Sequence, residues 1–377
     1  MLRNENVSYS DSIASARPRG RILTFAGGGW VLVLAGALIL GVIAWRVKSW
    51  NDTRLMTEGI APPAYQSNGF ELKNSIVPLT HYVRVFKREG FQALNAAPAV
   101  PVTLEMLRNQ SSRGKRLVRT DRVIGVELNG EARAYPIRIL NWHEIANDVV
   151  GGVPLVVTFG AATDSAAVYR RDVDGKTLDF GHSGLTSNGN FLLFDRQSAW
   201  DQSSLWSQLQ GRALTGPLRN RRLELLPCAL VTLEAWLTAH PASTVVLGDP
   251  ALERKHYSST AYAHQYANKS IPIVPTYRVP AESRIQEFDQ VLVVDSQPLL
   301  YADLAALVAA NPAADGWSTQ KIGAQQFEVQ YTPAQTPIDP PTARVLRREG
   351  DRLVPVPVIY SRYYAWYAAN EALQASP

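Results

Sequence analysis

Asn129-Gly130 stands between two runs of strand-forming residues, Val123 to Leu128 and Glu131 to Ile137. A two-residue type I′ turn needs positive φ at both central positions, which Asn and Gly tolerate best, so this pair fixes an antiparallel hairpin and its register. The hairpin leads into Asn141-Trp142-His143-Glu144, the densest group of potential ligands and acid-base residues in the chain. Leu155 to Phe159 is a short apolar, β-branched run of the kind that forms a buried strand. Asp174-Gly175 marks a second hairpin between Ala167–Arg171 and Lys176–Phe180, and Phe191 to Phe194 and Val245 to Leu247 read as further strands. Helical signals are fewer: Leu104 to Leu107 suggests a short helix, and Leu233 to Ala239, before the His240-Pro241 turn, is the clearest. The expected fold is mainly β (α+β), with helices at the edges of the sheets.

The stretch Arg122 to Gly152, with Phe180-Gly181-His182-Ser183-Gly184-Leu185, Phe191 to Gln197, Leu205 to Leu209 and Gly216-Pro217-Leu218, resembles the prokaryotic family called domain of unknown function 3179. The resemblance covers residues 119 to 280 well and the remainder loosely. It implies a mostly β domain, often secreted or membrane-tethered, with no reaction established for the family as a whole. In many members the strand after the Val-Gly-Gly turn ends in a Tyr-Cys-Pro-x-Cys-like loop, sometimes with selenocysteine, which suggests redox or metal chemistry there. Here that region reads Val156 to Ser165, with Gly160 and Thr163 at the two thiol positions. This chain is thus a divergent member lacking the loop's cysteines.

Ile22 to Trp45 is an uncharged run of 24 residues. A bilayer core of about 30 Å needs roughly 20 helical residues, so the run is long enough to span one. Trp30 and Trp45 suit the interfaces, and Arg17, Arg19, Arg21, Arg46 and Lys48 flank it. A cleaved signal peptide is the alternative, but its apolar core is usually only about 7 to 15 residues. The small excess of basic residues before the run favours an amino terminus inside, with the carboxyl-terminal part outside the cytoplasmic membrane. The expected partner of residues 22–45 is the lipid bilayer. The first 48 residues hold six Arg or Lys against two acidic residues, so most of the formal charge of +5 lies around this segment. The nearly neutral remainder carries no electrostatic footprint for DNA or RNA.

Residues 1–21 read as a short tail, 22–45 as the anchor and 46–118 as a spacer and juxtadomain segment. Residues 119–280 form a β-rich core half and 281–377 a second, smaller β-rich half. The second half echoes the first: Val291–Val294 through Leu300–Leu304 parallels Ile124–Leu128 through Ala134–Ile137, and Phe327–Tyr331 with Val345–Arg348 parallels Leu155–Phe159 with Val168–Arg171. Two related halves and one continuous domain both fit this pattern.

Cys228 is the sole cysteine, which rules out an intramolecular disulfide and every zinc pattern built on paired cysteines. Its apolar neighbours predict a buried, inert thiol. The remaining candidates are His143, Glu144, Asp164 and Ser165 for catalysis, His182, Trp142 and Tyr135 for ligand binding, and His143, His182 and Asp164 for a divalent metal. His143 also reads as a capping and packing residue at a helix start, His182 as a partly exposed turn residue, and Asp164-Ser165 as a turn or cap. His256 and His264, spaced by eight among tyrosines, do not form a compact helix-borne zinc pattern. His240 reads as a turn residue, and His81 lies in a poorly defined segment. Asp195-Arg196 reads as an internal ion pair. No phosphate-cradling loop, dinucleotide fingerprint or G-x-S-x-G elbow is present. Two functional classes follow. One is a membrane-anchored extracytoplasmic ligand-binding or assembly module; the other is a metal-dependent or redox-type enzyme using His143, Glu144, Asp164 and His182 in place of the family thiols.

Overall fold

The computed structural model describes residues 31, 34–44, 67–109, 117–249, 257, 275, 277–310, 316–322, 324–334 and 341–374. The chain divides into two compact units, Met1–Leu55 and Met56–Pro377. In the first unit, residues 34–44 are helical and present exposed apolar side chains, among them Leu38, Leu40 and Ile43. Among the described residues no helix is long and apolar enough to cross a membrane. The rest of the expected span, including Trp30 and Trp45, lies outside the described residues, so the described helix does not support the transmembrane expectation.

The second unit is β-rich, and the expected hairpin is present. Asn129 and Gly130 adopt φ of 50° and 83° between the paired residues Leu128 and Glu131. Positive φ at both central positions recurs at Gly151-Gly152, Asp174-Gly175, Asn188-Gly189 and Asp295-Ser296, each closing two antiparallel strands. At Asp174-Gly175 the hairpin is smaller than expected, with arms of two residues, Asp172–Val173 and Lys176–Thr177. The strand expected to run from Lys176 to Phe180 is interrupted, and Phe180–Ser187 belongs to a different sheet.

One order of elements occurs twice. Arg122–Leu128 and Glu131–Pro136 lead into the helix Ile137–His143, followed by Ile145–Val150, Val153–Gly160 and Ser165–Arg170, and later by Ala229–Thr232 running into the helix Leu233–Ala239. Gln290–Val294 and Gln297–Leu300 lead into Tyr301–Ala310, followed by Trp317–Ile322, Gln325–Thr332 and Thr342–Glu349, and later by Ile359–Arg362 running into Tyr363–Gln374. The two sets do not form separate layers, because each of the two largest sheets takes strands from both. Ala229–Thr232 joins the second hairpin's sheet partners through Leu230 opposite Ala343. Ile359–Arg362 makes the reciprocal join through Tyr360 opposite Ala166.

The largest core lies between these two sheets, with Ile124, Phe159, Leu292, Phe327 and Tyr360 among its members. A five-stranded sheet built around Phe180–Ser187 and Asn190–Asp195 closes a second core that contains Val156, Tyr169, Phe180 and Trp206. Strand Val153–Gly160 is therefore buried on both faces: Leu155, Val157 and Phe159 point into the first core and Val156 into the second. Burial on both faces explains its nearly unbroken apolar sequence, and each such large side chain contributes about 1.5–3 kcal/mol on transfer from water.

The segment expected to be a spacer is part of this architecture from residue 67 onward. Phe70, Leu72 and Val77 are buried beside Leu185, Leu192 and Phe194. Tyr82–Arg84, Leu94–Asn95 and Ala99–Pro101 each pair with the edge of a different sheet. Strands this short carry little local signal; the free edges of the three sheets supply the pairing that defines them.

Candidate functional site

Helix Ile137–His143 starts after Pro136, whose fixed φ suits that position, and ends where Glu144 adopts φ +56°, with its N–H bonded to the Leu140 carbonyl. Asn141 to Glu144 is thus a helix end, not the helix start expected from the sequence. A glutamate in the left-handed region is uncommon and carries conformational strain. The turn sends the two adjacent side chains to different partners.

Glu144 Oε2 lies 2.7 Å from His182 Nε2, and the pair is almost fully buried. His182 Nδ1 accepts the Gly184 N–H at 3.0 Å, so the proton belongs on Nε2 and is donated to the carboxylate. His182 is not in an exposed turn. It lies within strand Phe180–Ser187 at a register shift, and its ring stacks on Phe191 at 5.2 Å and 6° and packs beside Phe91. The segment carrying Phe86 and Phe91 covers it, held by the Glu89 N–H on the His182 carbonyl and by the Glu89–Arg196 ion pair.

His143 donates from Nδ1 to the Gln92 carbonyl at 2.7 Å, which leaves Nε2 to accept the Tyr257 hydroxyl at 2.5 Å. Burial holds this imidazole below its ordinary pKa, partly opposed by the Gln92 hydrogen bond and by Asp249. Burial likewise raises the Tyr257 hydroxyl. Neutral imidazole and neutral phenol are the forms this arrangement favours.

The strand exit after Phe159 builds a polar centre next to the pair, since the Phe159 N–H bonds to the Glu144 carbonyl. Thr163 Oγ1 and Ser165 Oγ are 2.7 Å apart, and the Ser165 hydroxyl reaches Gln208 Oε1 at 2.9 Å. Asn190 Nδ2 donates to the same oxygen at 2.9 Å, while Gln208 Nε2 donates to Thr158 Oγ1 at 3.0 Å. All five side chains are buried. Gly160 leaves space for them: a Cβ there would lie 2.5 Å from Ser165 Oγ and 2.6 Å from Thr163 Oγ1. Asp164 turns away with φ +46°, binding Arg122 at 3.0 Å in a buried ion pair and accepting from Gln290 at 2.5 Å.

Family membership follows from the sequence match. The model described as Protein of unknown function (DUF3179) matches residues 101–344. The chain belongs to this family. No curated protein and no solved structure gives a match. In this DUF3179 chain the positions that resemblance assigns to thiols, 160 and 163, do converge, because a side chain on Gly160 would point at Thr163. The hydroxyls of Thr158, Thr163 and Ser165 and the amides of Gln208 and Asn190 fill that space.

The three metal candidates are brought to different partners. His143 pairs with Gln92 and Tyr257, His182 with Gly184 and Glu144, and Asp164 with Arg122 and Gln290. Both nitrogens of each imidazole are occupied. Among the described residues no group of three or more His, Cys, Asp or Glu side chains could hold a metal ion. Among the described residues, His143, His182 and Asp164 are thus not gathered into one cluster.

Of the ligand-binding candidates, Tyr135 is buried and donates to Asp148 at 2.8 Å, within an ionic group with Arg133 and Glu131. Trp142 packs against the first core. Cys228 is buried, and burial pushes its thiol up to about 12, as expected for an inert group. Asp195 and Arg196 do not pair with each other: Asp195 accepts from the Ser204 N–H and Trp206, whereas Arg196 pairs with Glu89. Successive strand residues point to opposite faces, which separates the two charges. His81 is buried against Asn188, and the His240 ring packs at a tilt against Trp236. His256 and His264 lie outside the described residues.

Sequence reasoning missed Thr158, Asn190 and Gln208 as members of the centre. The Asn188-Gly189 turn that positions Asn190 was a readable signal, and Gln208 lies inside the Leu205–Leu209 motif. Nothing local to Thr158 marks it. Its role comes from facing the second core, opposite Gln208.

Proposed function

We propose that the chain is a single-pass, membrane-anchored extracytoplasmic module of the DUF3179 family that binds a ligand or assembles with a partner. One observation carries this reading over an enzymatic one: of the two positions that the resemblance assigns to thiols, 160 is a glycine and Thr163 is buried with Ser165 in a hydrogen-bonded set with Gln208, Asn190 and Thr158. Hydroxyls held this way are structural in character, since among the described residues their partners are the Gly160 carbonyl, each other and the Gln208 amide, none of them a general base. Residues 22–45 support the anchor by length and lack of charge, and their described part is helical with apolar side chains outward.

The test compares the full chain with a variant lacking residues 22–45, by membrane fractionation and by protease treatment of spheroplasts. Retention in the membrane fraction only with residues 22–45, and digestion from outside, are the expected results. A full chain recovered in the soluble fraction defeats the anchor, and protection in intact spheroplasts defeats the orientation.

A second reading is favoured by the buried Glu144–His182 pair, a carboxylate-oriented imidazole of the kind used in acid-base chemistry. It makes the chain a metal-dependent or redox-type enzyme in which Phe86 and Phe91 must move to admit substrate. Elemental analysis of the purified chain and of a His143→Ala, His182→Ala variant tests its metal form. Equal metal content in the two proteins counts against a shared histidine site.

A further inference from the structure

Strand Arg212–Ala213 and the loop that returns to Leu223 form one wall of a cleft of about 520 Å³. The helix Tyr363–Gln374 forms the other wall, fixed to the first by Gln210 Nε2 on the Ala369 carbonyl at 2.6 Å. Cavities of about 300–1,000 Å³ are typical of small-molecule sites. Arg212 and Arg222 line the cleft, with Trp366, Leu373 and Asn370 across from them.

The charges here are unbalanced. Arg212 and Arg222 are directly bridged through their backbones, and Arg219 follows the turn at Gly216. Among the described residues, none of these three guanidinium groups has a carboxylate within ion-pair distance, whereas the intervening Arg221 pairs with Asp174 at 3.0 Å. Arg212 receives one fixed contact, from Nη2 to Asn220 Oδ1 at 2.9 Å, and its Nε is buried with no hydrogen-bond partner. Burial lowers the Arg212 pKa, and the charges of Arg222 and Arg219 lower it further. A buried donor without an acceptor, beside like charges, is costly to maintain unless an anion completes it. Among the described residues, the one acidic side chain lining the cleft is Asp295, exposed in the Val294–Gln297 turn.

We propose that this cleft binds a small molecule carrying a phosphate group next to an apolar portion, with Arg212 and Arg222 on the oxyanion and Trp366 and Leu373 against the apolar part. The planar guanidinium fork matches tetrahedral oxyanions through paired N–H donors, and an aromatic wall suits an apolar substituent. The cleft gives the binding-module reading a ligand class. It shares no residue with the Thr163–Gln208 centre or with the segment 22–45, so phosphate binding and membrane retention are separate readouts.

The experiment is calorimetric titration of the full chain, in non-ionic detergent, with inorganic phosphate and with phenyl phosphate at constant ionic strength. Saturable binding is expected, tighter for phenyl phosphate. Arg212→Gln and Arg222→Gln each weaken it by about tenfold or more, the order of one charge-assisted contact. Arg221→Gln leaves it unchanged, and Asp295→Asn strengthens it. Arg222 is exposed, so its variant keeps the test valid if Arg212→Gln fails to fold. Dihexanoyl phosphatidylglycerol distinguishes the source: Arg222-dependent binding tighter than that of phenyl phosphate assigns a lipid headgroup, and weaker binding assigns a soluble phosphoester. Non-saturable binding, or equal affinity in wild type and Arg222→Gln, overturns the proposal.

Discussion

The centre around Thr163 and the cleft around Arg212 are both polar, but they satisfy their polar groups differently. In the first, buried hydroxyls and amides meet one another between two sheets, and Asp164 meets Arg122 in a buried ion pair. In the second, Arg212 and Arg222 line the cavity with the charge of Arg219 close by, and among the described residues none of the three guanidinium groups has a carboxylate within ion-pair distance. A closed set of hydrogen bonds holds a fold together; an open set of like charges destabilises it until something binds. The difference predicts that substitutions in the centre lower stability, whereas substitutions in the cleft lower affinity.

The largest effect is expected at the buried ion pair. Arg122→Ala leaves the Asp164 carboxylate buried with Gln290 as its remaining named partner, and the unfolding free energy, followed by urea denaturation, falls by about 3–5 kcal/mol. A loss under about 1 kcal/mol would place this pair with ordinary surface bridges and remove the contrast. Gln208→Ala strips partners from Ser165, Asn190 and Thr158 together. It is expected to cost about 1–3 kcal/mol for the buried groups left unsatisfied, read from the same urea midpoints. Gly160→Ala places a methyl group 2.5 Å from Ser165 Oγ. The expected loss of about 1–3 kcal/mol should shrink in a Gly160→Ala, Ser165→Ala double variant, because the second change removes one of the two overlaps and leaves that with Thr163 Oγ1.

The pH dependence comes next. Burial holds His143 below its ordinary value of 6.5 in the folded chain, so the unfolded chain takes up protons first as pH falls. Stability from this group is complete above about pH 6.5 and declines as pH drops from there toward the folded pKa. Denaturation midpoints measured from pH 8 to pH 5 should fall, with a shallower slope in His143→Gln; equal slopes would mean that His143 does not titrate on unfolding. His81 and His240 act in the same direction. The smallest effect belongs to the cleft. Without phosphate, Arg222→Gln should leave stability within about 0.5 kcal/mol of wild type, shifted upward by relief of repulsion. A clear loss would make Arg222 a structural residue like those of the centre.

Much of the first half was legible because its signals are local. Asn129-Gly130 dictates a hairpin wherever it is placed between strand-forming runs, and Leu155 to Phe159 reads as a buried strand from its composition alone. The repeat of the pattern near Val291 was visible for the same reason. Residues 67 to 101 were not legible as structure: their strands exist because sheet edges receive them. His143 and Glu144 were found as neighbours, but their separation into two hydrogen-bonded pairs depends on the left-handed backbone at Glu144. Arg212, Arg219 and Arg222 drew no attention in a nearly neutral stretch, since crowding of like charges is a property of space and not of composition.

The sequence by itself determined the β-rich class, the family, the turns and the inertness of Cys228, because each rests on the chemistry of a few adjacent residues. Only the tertiary structure decided that both halves share the same two sheets, that Thr163 and Ser165 lie against Gln208, and that His143, His182 and Asp164 take separate partners. Those outcomes depend on which strand edges meet and which face each residue presents, and contacts between residues 40 to 200 positions apart leave no periodic trace in the chain.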